Sequence, residues 1–251
     1  GTVSLTNSTV SNNTGNGVVS YVVTAIDSTI SGNGGTGLIS FGGGAGNSTF
    51  SVNRSTISGN GGGGVAVGDL GSATLTNSTI SGNESTGVDC LGCFRASLTN
   101  TTVTGNGFGG VFVHFDGFVT LTRTVIAGNT APGGAEVFNN NGSITAASFN
   151  LFGYRGLTND QAFENFTPGP TDITATSNGN NPTALVNILN PTLANNGGPT
   201  RTHALVGGSP AVDAVMDTCP PPRRDQRGVR RPQGGNNDGV AIRDIGSFER
   251  R

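Results

Sequence analysis

The chain has 251 residues, 43 of them Gly, with 11% charged residues, no Trp and no Lys. All 13 basic residues are Arg, nine of them at or after Arg201. The net charge of -2 lacks the clustered cations that a phosphate backbone demands, which argues against a nucleic-acid partner. No apolar run approaches the roughly 18 residues of a membrane-spanning helix. No secretory leader is visible, so the chain reads as a mature product or a fragment.

From the first residues a short phrase keeps returning. It reads Ser8-Thr9-Val10-Ser11-Asn12-Asn13, then Ser28 to Asn33, Ser55 to Asn60, Ser78 to Asn83, Thr101 to Asn106 and Thr124 to Asn129. The closing asparagines are spaced by 20, 27, 23, 23 and 23 residues. A period in this range signals stacked units, each of which needs its neighbours to bury an apolar face. Within a unit two more groups recur. One is Gly64-Val65-Ala66-Val67, matched by Gly87 to Cys90 and Gly110 to Val113. The other is Ala73 to Asn77, matched by Ala96 to Asn100 and Val119 to Arg123. Each alternates apolar with small polar residues and is rich in Val, Ile and Thr, which is strand chemistry, and Gly and Asn stand where the chain turns.

Three strands per period predict an all-β, single-stranded parallel β-helix over residues 1–153, each strand pairing with its copy roughly 4.8 Å away. Periodicity alone leaves the handedness open, although right-handed crossovers are the rule. Leu5, Leu75, Leu98 and Leu121 stack at one corner, and Val10, Ile30, Ile57, Ile80, Val103 and Ile126 along a wall. Ser and Thr ladders cover the outside. Asn33, Asn60, Asn83, Asn106 and Asn129 fit a stacked turn whose amides bond the coils above and below. Cys90 takes the inward place of Val67 and Val113, with Cys93 in the next turn. A buried thiol and a local disulfide both fit, the latter in an oxidising compartment. A zinc site does not, for want of four ligands close in sequence.

A degenerate coil runs through Ala135 to Gly153, and residues 154–190 lose the period around Phe163, Phe166, Pro168 and Pro170. Residues 191–251 turn to Pro, Arg and Asp. There Leu193 to Leu205, with Asn195-Asn196-Gly197-Gly198-Pro199 at its heart, precedes Gly208-Ser209-Pro210-Ala211-Val212-Asp213. Asp225-Gln226-Arg227-Gly228-Val229 and Asp244-Ile245-Gly246-Ser247-Phe248-Glu249 follow. With the preceding coils this resembles the bacterial choice-of-anchor Q proteins. The resemblance implies a right-handed β-helix, secreted or on the cell surface, with no established activity. It also implies a disulfide from near Cys219 to a Cys just before the Asp-Ile-Gly segment, a place held here by Arg243. Read physically, Asp213, Asp225, Arg227, Arg230, Asp244 and Glu249 form an Arg–carboxylate network that pins a cap module onto the last coil.

Chemistry is sparse. Gly32–Gly37, Gly59–Gly64 and Gly105–Gly110 each match a dinucleotide-type glycine motif. All are the same β-helix turn, and none opens a helix. β-helix proteins that resemble pectate lyases or polygalacturonases use clustered acids, with Ca²⁺ and Arg or as pairs. Here the coils carry about one acid each, namely Asp27, Asp69, Glu84, Asp89, Asp116 and Glu136, and none stacks on another in the next coil. His114 beside Asp116 is the best acid/base candidate, with Asp69 two coils away at roughly 10 Å. Neither His sits near an exposed serine elbow. No cofactor is expected, though Asn236, Asn237 and Asp238 with Asp244 offer oxygen ligands that suit Ca²⁺ without the spacing of a calcium loop. Sequons at Asn7, Asn12, Asn47, Asn53, Asn77, Asn83, Asn100, Asn141 and Asn165 are by-products of the repeat, with a glycan on the outer ladders as an alternative.

The chain enters a strand at Val3 without a capping helix. The expectation is that upstream residues or a second copy cover that end, and head-to-tail stacking of copies would build a filament. The reading that follows is a non-catalytic structural or adhesive β-helix, extracellular or on a bacterial surface. The alternative is a polysaccharide-binding or polysaccharide-degrading one. Aromatic platforms for a sugar polymer look scarce, with Tyr21 and Tyr154 as the only Tyr.

Overall fold

Each coil folds as three short strands because its apolar residues alternate with Ser and Thr over runs too short for a helical stripe. The computed structural model describes residues 1–40, 48–68, 70–218, 220–236 and 238–251. Asp69, Cys219, Asn237 and the Asn47 sequon lie outside the described residues. Three parallel sheets run along the solenoid. The first joins Thr2–Thr6, Val22–Ile26, Thr49–Asn53, Ser72–Thr76, Arg95–Thr99, Phe118–Thr122 and Ser143–Ser148. The second runs from Thr9–Ser11 through Thr56–Ser58 and Thr102–Thr104 to Leu151–Phe152 and Ile173–Thr174. The third joins Val18–Val19, Leu38–Ile39, Val65–Val67, Val88–Leu91, Val111–His114, Val137–Asn140 and Phe163–Glu164. The chain is an all-β right-handed parallel β-helix of about seven turns. Its helix among the described residues amounts to Asn159–Ala162 and one 3₁₀ turn at Leu185–Asn187.

The register stacks like on like. Val10, Ile30, Ile57, Ile80, Val103 and Ile126 form one inward column. Leu75, Leu98 and Leu121 form another. Leu5 shares that second column, but Ala25 and Val52 separate it from Leu75. Burying such side chains stabilises by about 1.5–3 kcal/mol each.

Between the second and third sheets the asparagines stack into a continuous amide ladder. Asn33 Nδ2 donates to Asn60 Oδ1 at 2.9 Å, Asn60 to Asn83 at 2.8 Å, Asn83 to Asn106 at 2.8 Å and Asn106 to Asn129 at 2.8 Å. Each Oδ1 also accepts the backbone N–H of the preceding Asn. Donors therefore point one way along the axis, and the last needs an acceptor. Glu136 supplies it, taking Asn129 Nδ2 at 2.7 Å and Gly128 N–H at 2.8 Å while wholly buried. Beside it Ser8, Ser28 and Ser55 each donate a backbone N–H to the hydroxyl of Ser28, Ser55 and Ser78, and farther along Thr124 N–H donates to Asn150 Oδ1 and Asn150 N–H to the Asp172 carboxyl. A carboxyl suits both ends because each of its oxygens can take an arriving N–H. The same ladder dictates glycine beside it: a Cβ on Gly87 would lie 2.8 Å from Asn106 Nδ2 and 2.7 Å from the Gly110 carbonyl. The glycine motifs thus serve the ladder.

Two expectations about the exterior are corrected. The outward Thr column of the second sheet is not a solvated ladder throughout, because Thr56, Thr79 and Thr102 are buried under the C-terminal segment. That segment is not confined to the last coil; it runs back along the solenoid's flank. Gln226 Nε2 donates to Ser55 O and Thr56 Oγ1, and Gln226 Oε1 accepts from Thr79 Oγ1 at 2.7 Å. Ser247 meets Thr79 and Thr102, and Gly246 N–H reaches Arg123 O. Farther along, the outward column changes from Thr to Val125, Leu151 and Ile173. Val125 and Leu151 seed a second core with Leu189, Leu205, Ala211, Val215, Ile245 and Phe248. Arg231 and Glu249 pair at 2.9 Å within this segment, both fully buried, and Arg227 bonds Asp225 and lies over the Phe248 ring.

Candidate functional site

Among the described residues the outer face of the third sheet carries what the other faces lack, a contiguous run of rings. Strand parity sets it: in Val111–His114 the two Val point inward, so Phe112 and His114 point out. Along one outward column stand Ala66, Asp89, Phe112, Phe138 and Glu164, and beside it Leu91, His114 and Asn140. Phe112 and Phe138 have ring centroids 4.7 Å apart. Phe108 lies 5.9 Å from Phe112, His114 lies 5.9 Å from Phe138, and Phe115 lies 5.9 Å from His114. Ring contacts therefore continue from Phe108 to Phe115.

The corner leading to the first sheet extends this surface. Its tight turns put Leu70, Phe115 and Asp116 at φ of 56°, 49° and 60°, a left-handed backbone that is uncommon for bulky residues and settles at sites where the surroundings hold it. Cys90 and Cys93 form a disulfide across the same corner one coil earlier, with Cys90 inside the core between Val67 and Val113. Leu70 (62% exposed), Phe94 (66%), Phe108 (52%) and Phe115 (67%) are presented to solvent rather than buried. Two shallow grooves result. One, of about 720 Å³, is lined by Leu70, Phe94, Arg95, Phe115, Asp116 and Phe118. The other, of about 400 Å³, is lined by Phe108, Phe112, His114, Pro132, Phe138 and Glu164.

The titratable groups are arranged differently from the sequence expectation. His114 Nε2 faces Asp89 Oδ1 of the preceding coil at 3.6 Å, and not its sequence neighbour Asp116. Burial pushes the Asp89 carboxyl above the ordinary carboxylate range, partly offset by His114. Asp116 lines the larger groove, and among the described residues its carboxylate has no hydrogen-bond partner. Arg95 lies over the Phe118 ring at 5.5 Å. Asp89 and Glu164 share a column three rungs apart, roughly 14 Å at the rung spacing. Paired-acid hydrolysis of a glycoside needs about 5–9.5 Å, so this column builds no such pair.

The oxygen-rich stretch expected to suit Ca²⁺ folds onto itself. Asp238 accepts from Asn236 Nδ2 and Val240 N–H, and Asp244 accepts the backbone N–H groups of Asp213 and Arg250. Among the described residues no three His, Cys, Asp or Glu side chains are grouped to hold a metal ion. The expected scarcity of aromatic platforms fails because Phe, not Tyr or Trp, supplies the rings. The signal was the outward parity of Phe112 and Phe138 in register, together with Phe94 and Phe115 at matching corners.

Residues 1–152 match the model of a family described as the right handed beta helix region. The chain is similar in structure to the pectate lyase Pel9A, at 13% identity and a TM-score of 0.46, covering 97% of this chain and 70% of that one. No curated protein matches it.

Proposed function

Because this chain belongs to the right-handed β-helix family across residues 1–152, its function resides in what the solenoid displays, and we propose a non-catalytic, extracellular adhesive protein that holds an extended polysaccharide on the third sheet. The carrying observation is the continuous run of ring contacts from Phe108 to Phe115 on a stiff support, with Phe94, Phe108 and Phe115 exposed and Phe112 buried beneath them. Exposed rings on a rigid scaffold offer contact area at little entropic cost. The rung spacing of roughly 4.8 Å presents them on the length scale of one sugar unit. The resemblance of residues 193–249 to choice-of-anchor Q proteins supports a bacterial surface location.

Co-sedimentation with insoluble polysaccharides tests the reading. Phe94→Ala combined with Phe115→Asn, the latter keeping the left-handed turn, weakens binding roughly threefold to tenfold per ring removed. Parent-level binding by that double variant, or release of reducing ends from a bound polymer, refutes it.

A further inference from the structure

Phe94 occupies a place that the neighbouring coils reserve for glycine. Arg95 pairs with Ser72 and Ala96 with Val119, so Phe94 falls in step with Gly71 and Gly117. Those two glycines close tight turns, Gly71 N–H donating to Gly68 O at 3.0 Å and Gly117 N–H to His114 O at 3.1 Å. A Cβ on Gly71 would lie 2.9 Å from the Gly68 oxygen and 2.9 Å from Val67 Cγ1. One on Gly117 would lie 3.0 Å from the His114 oxygen and 2.6 Å from Cys90 Sγ. The turn that the neighbours use therefore leaves no room for a side chain at its last residue.

We infer that the Cys90–Cys93 disulfide takes over the turn-closing role at this corner and so positions Phe94 in the larger groove with Leu70 and Phe115. The inference rests on the polysaccharide reading above and adds the residues that set up its ring platform. Phe94 N–H leaves its own turn and donates to Gly71 O of the coil before, at 2.8 Å. Leu70 and Asp116, third in their turns, are left-handed at φ of 56° and 60°. Cys93, third in this turn, is not left-handed, and Gly92 before it has φ of 66°. Both cysteines are buried, Cys90 in the inward place of Val67 and Val113, so the bridge ties the corner directly to the core. It spans only three positions. Loop-closure stabilisation grows with loop length, so a bridge this short acts chiefly on the folded corner rather than on the unfolded chain.

A mutant cycle on the whole chain, read by thermal melts, tests this. Cys90→Val with Cys93→Asn gives the corner the inward Val of its neighbours and a residue that accepts the left-handed backbone. The corner then falls back on the tight turn, which Phe94 obstructs, and the melting temperature drops by several degrees. The same pair of substitutions made together with Phe94→Gly gives a far smaller drop relative to Phe94→Gly alone, because glycine closes the turn by its hydrogen bond. A triple variant that folds where the double variant does not is the same result. Equal drops in the two backgrounds, or a triple variant that fails to fold, overturns the inference. Retention of the double variant on insoluble polysaccharide falls roughly threefold to tenfold, as for the loss of one ring, and parent-level retention overturns the positioning of Phe94. The melts contain no polysaccharide, so coupling in the melts by a chain whose parent retains no polymer overturns the binding reading alone.

Discussion

Asn83→Ala interrupts the amide ladder at its centre, and the structure states what is lost. Asn83 Oδ1 accepts from Asn60 N at 3.1 Å and from Asn60 Nδ2 at 2.8 Å. Its Nδ2 donates to Asn106 Oδ1 at 2.8 Å and to Ile57 O at 3.4 Å. After truncation Asn106 Oδ1 keeps the N–H of residue 83, and Asn60 Nδ2 keeps Ile30 O. Two N–H bonds of buried Asn60 are then left without acceptors, at about 1–3 kcal/mol each, so the variant loses about 4 kcal/mol. Asn13→Ala is the control. Asn13 is exposed, its amide donates only to Asn33 Oδ1, and its loss costs about 1 kcal/mol or less. Urea unfolding followed by circular dichroism gives both values. A cost below about 1 kcal/mol for Asn83→Ala, or equal costs at the two positions, refutes the reasoning.

Burial raises the Glu136 carboxyl to about 8 from 4.5. The folded state therefore keeps a proton that the unfolded chain releases. Stability is full below about pH 4.5 and declines as pH rises towards 8, by at most about 1.4 kcal/mol per pH unit from this group. Asp244, raised by burial to about 6, and Glu249, raised to about 7, add slope of the same sign. Glu136→Gln flattens the decline in a pH series of thermal melts, and an unchanged slope refutes the assignment. Gln226→Ala removes the fully buried link between the C-terminal segment and Thr56 and Thr79, and amide exchange at Gly246, which bonds Arg123, accelerates. Unchanged exchange there shows that the segment is held by its apolar core alone.

The candidate site was only half legible in the sequence. Register from the repeat places Asp116 and His114 near one corner of the coil. Adjacency in sequence then misleads, because the strand ends at His114 and the left-handed turn at Phe115 and Asp116 breaks its alternation, while residues of successive coils lie side by side. His114 therefore meets Asp89, 25 residues earlier, rather than Asp116. The rings were visible as letters, but they become a surface only when Phe112 and Phe138 fall in register and the turn residues Phe94 and Phe115 are turned outward.

The repeat by itself determines the solenoid: a 23-residue period of three short alternating stretches has one way to bury its Val, Ile and Leu, which is coil upon coil. It also determines the inward Asn column, since only a group with both donor and acceptor repeats indefinitely along an axis. Tertiary structure alone decides where those ladders stop. Glu136 reads as one more coil acid, and only the fold brings the Asn129 amide onto it and the Asn150 amide onto Asp172. It decides, too, that the Pro- and Arg-rich segment lies along the flank. Thr56, Thr79 and Thr102 look solvent-facing in sequence, and the arrival of Arg201, Gln226 and Ser247 from about 150 residues away satisfies their hydroxyls inside the protein.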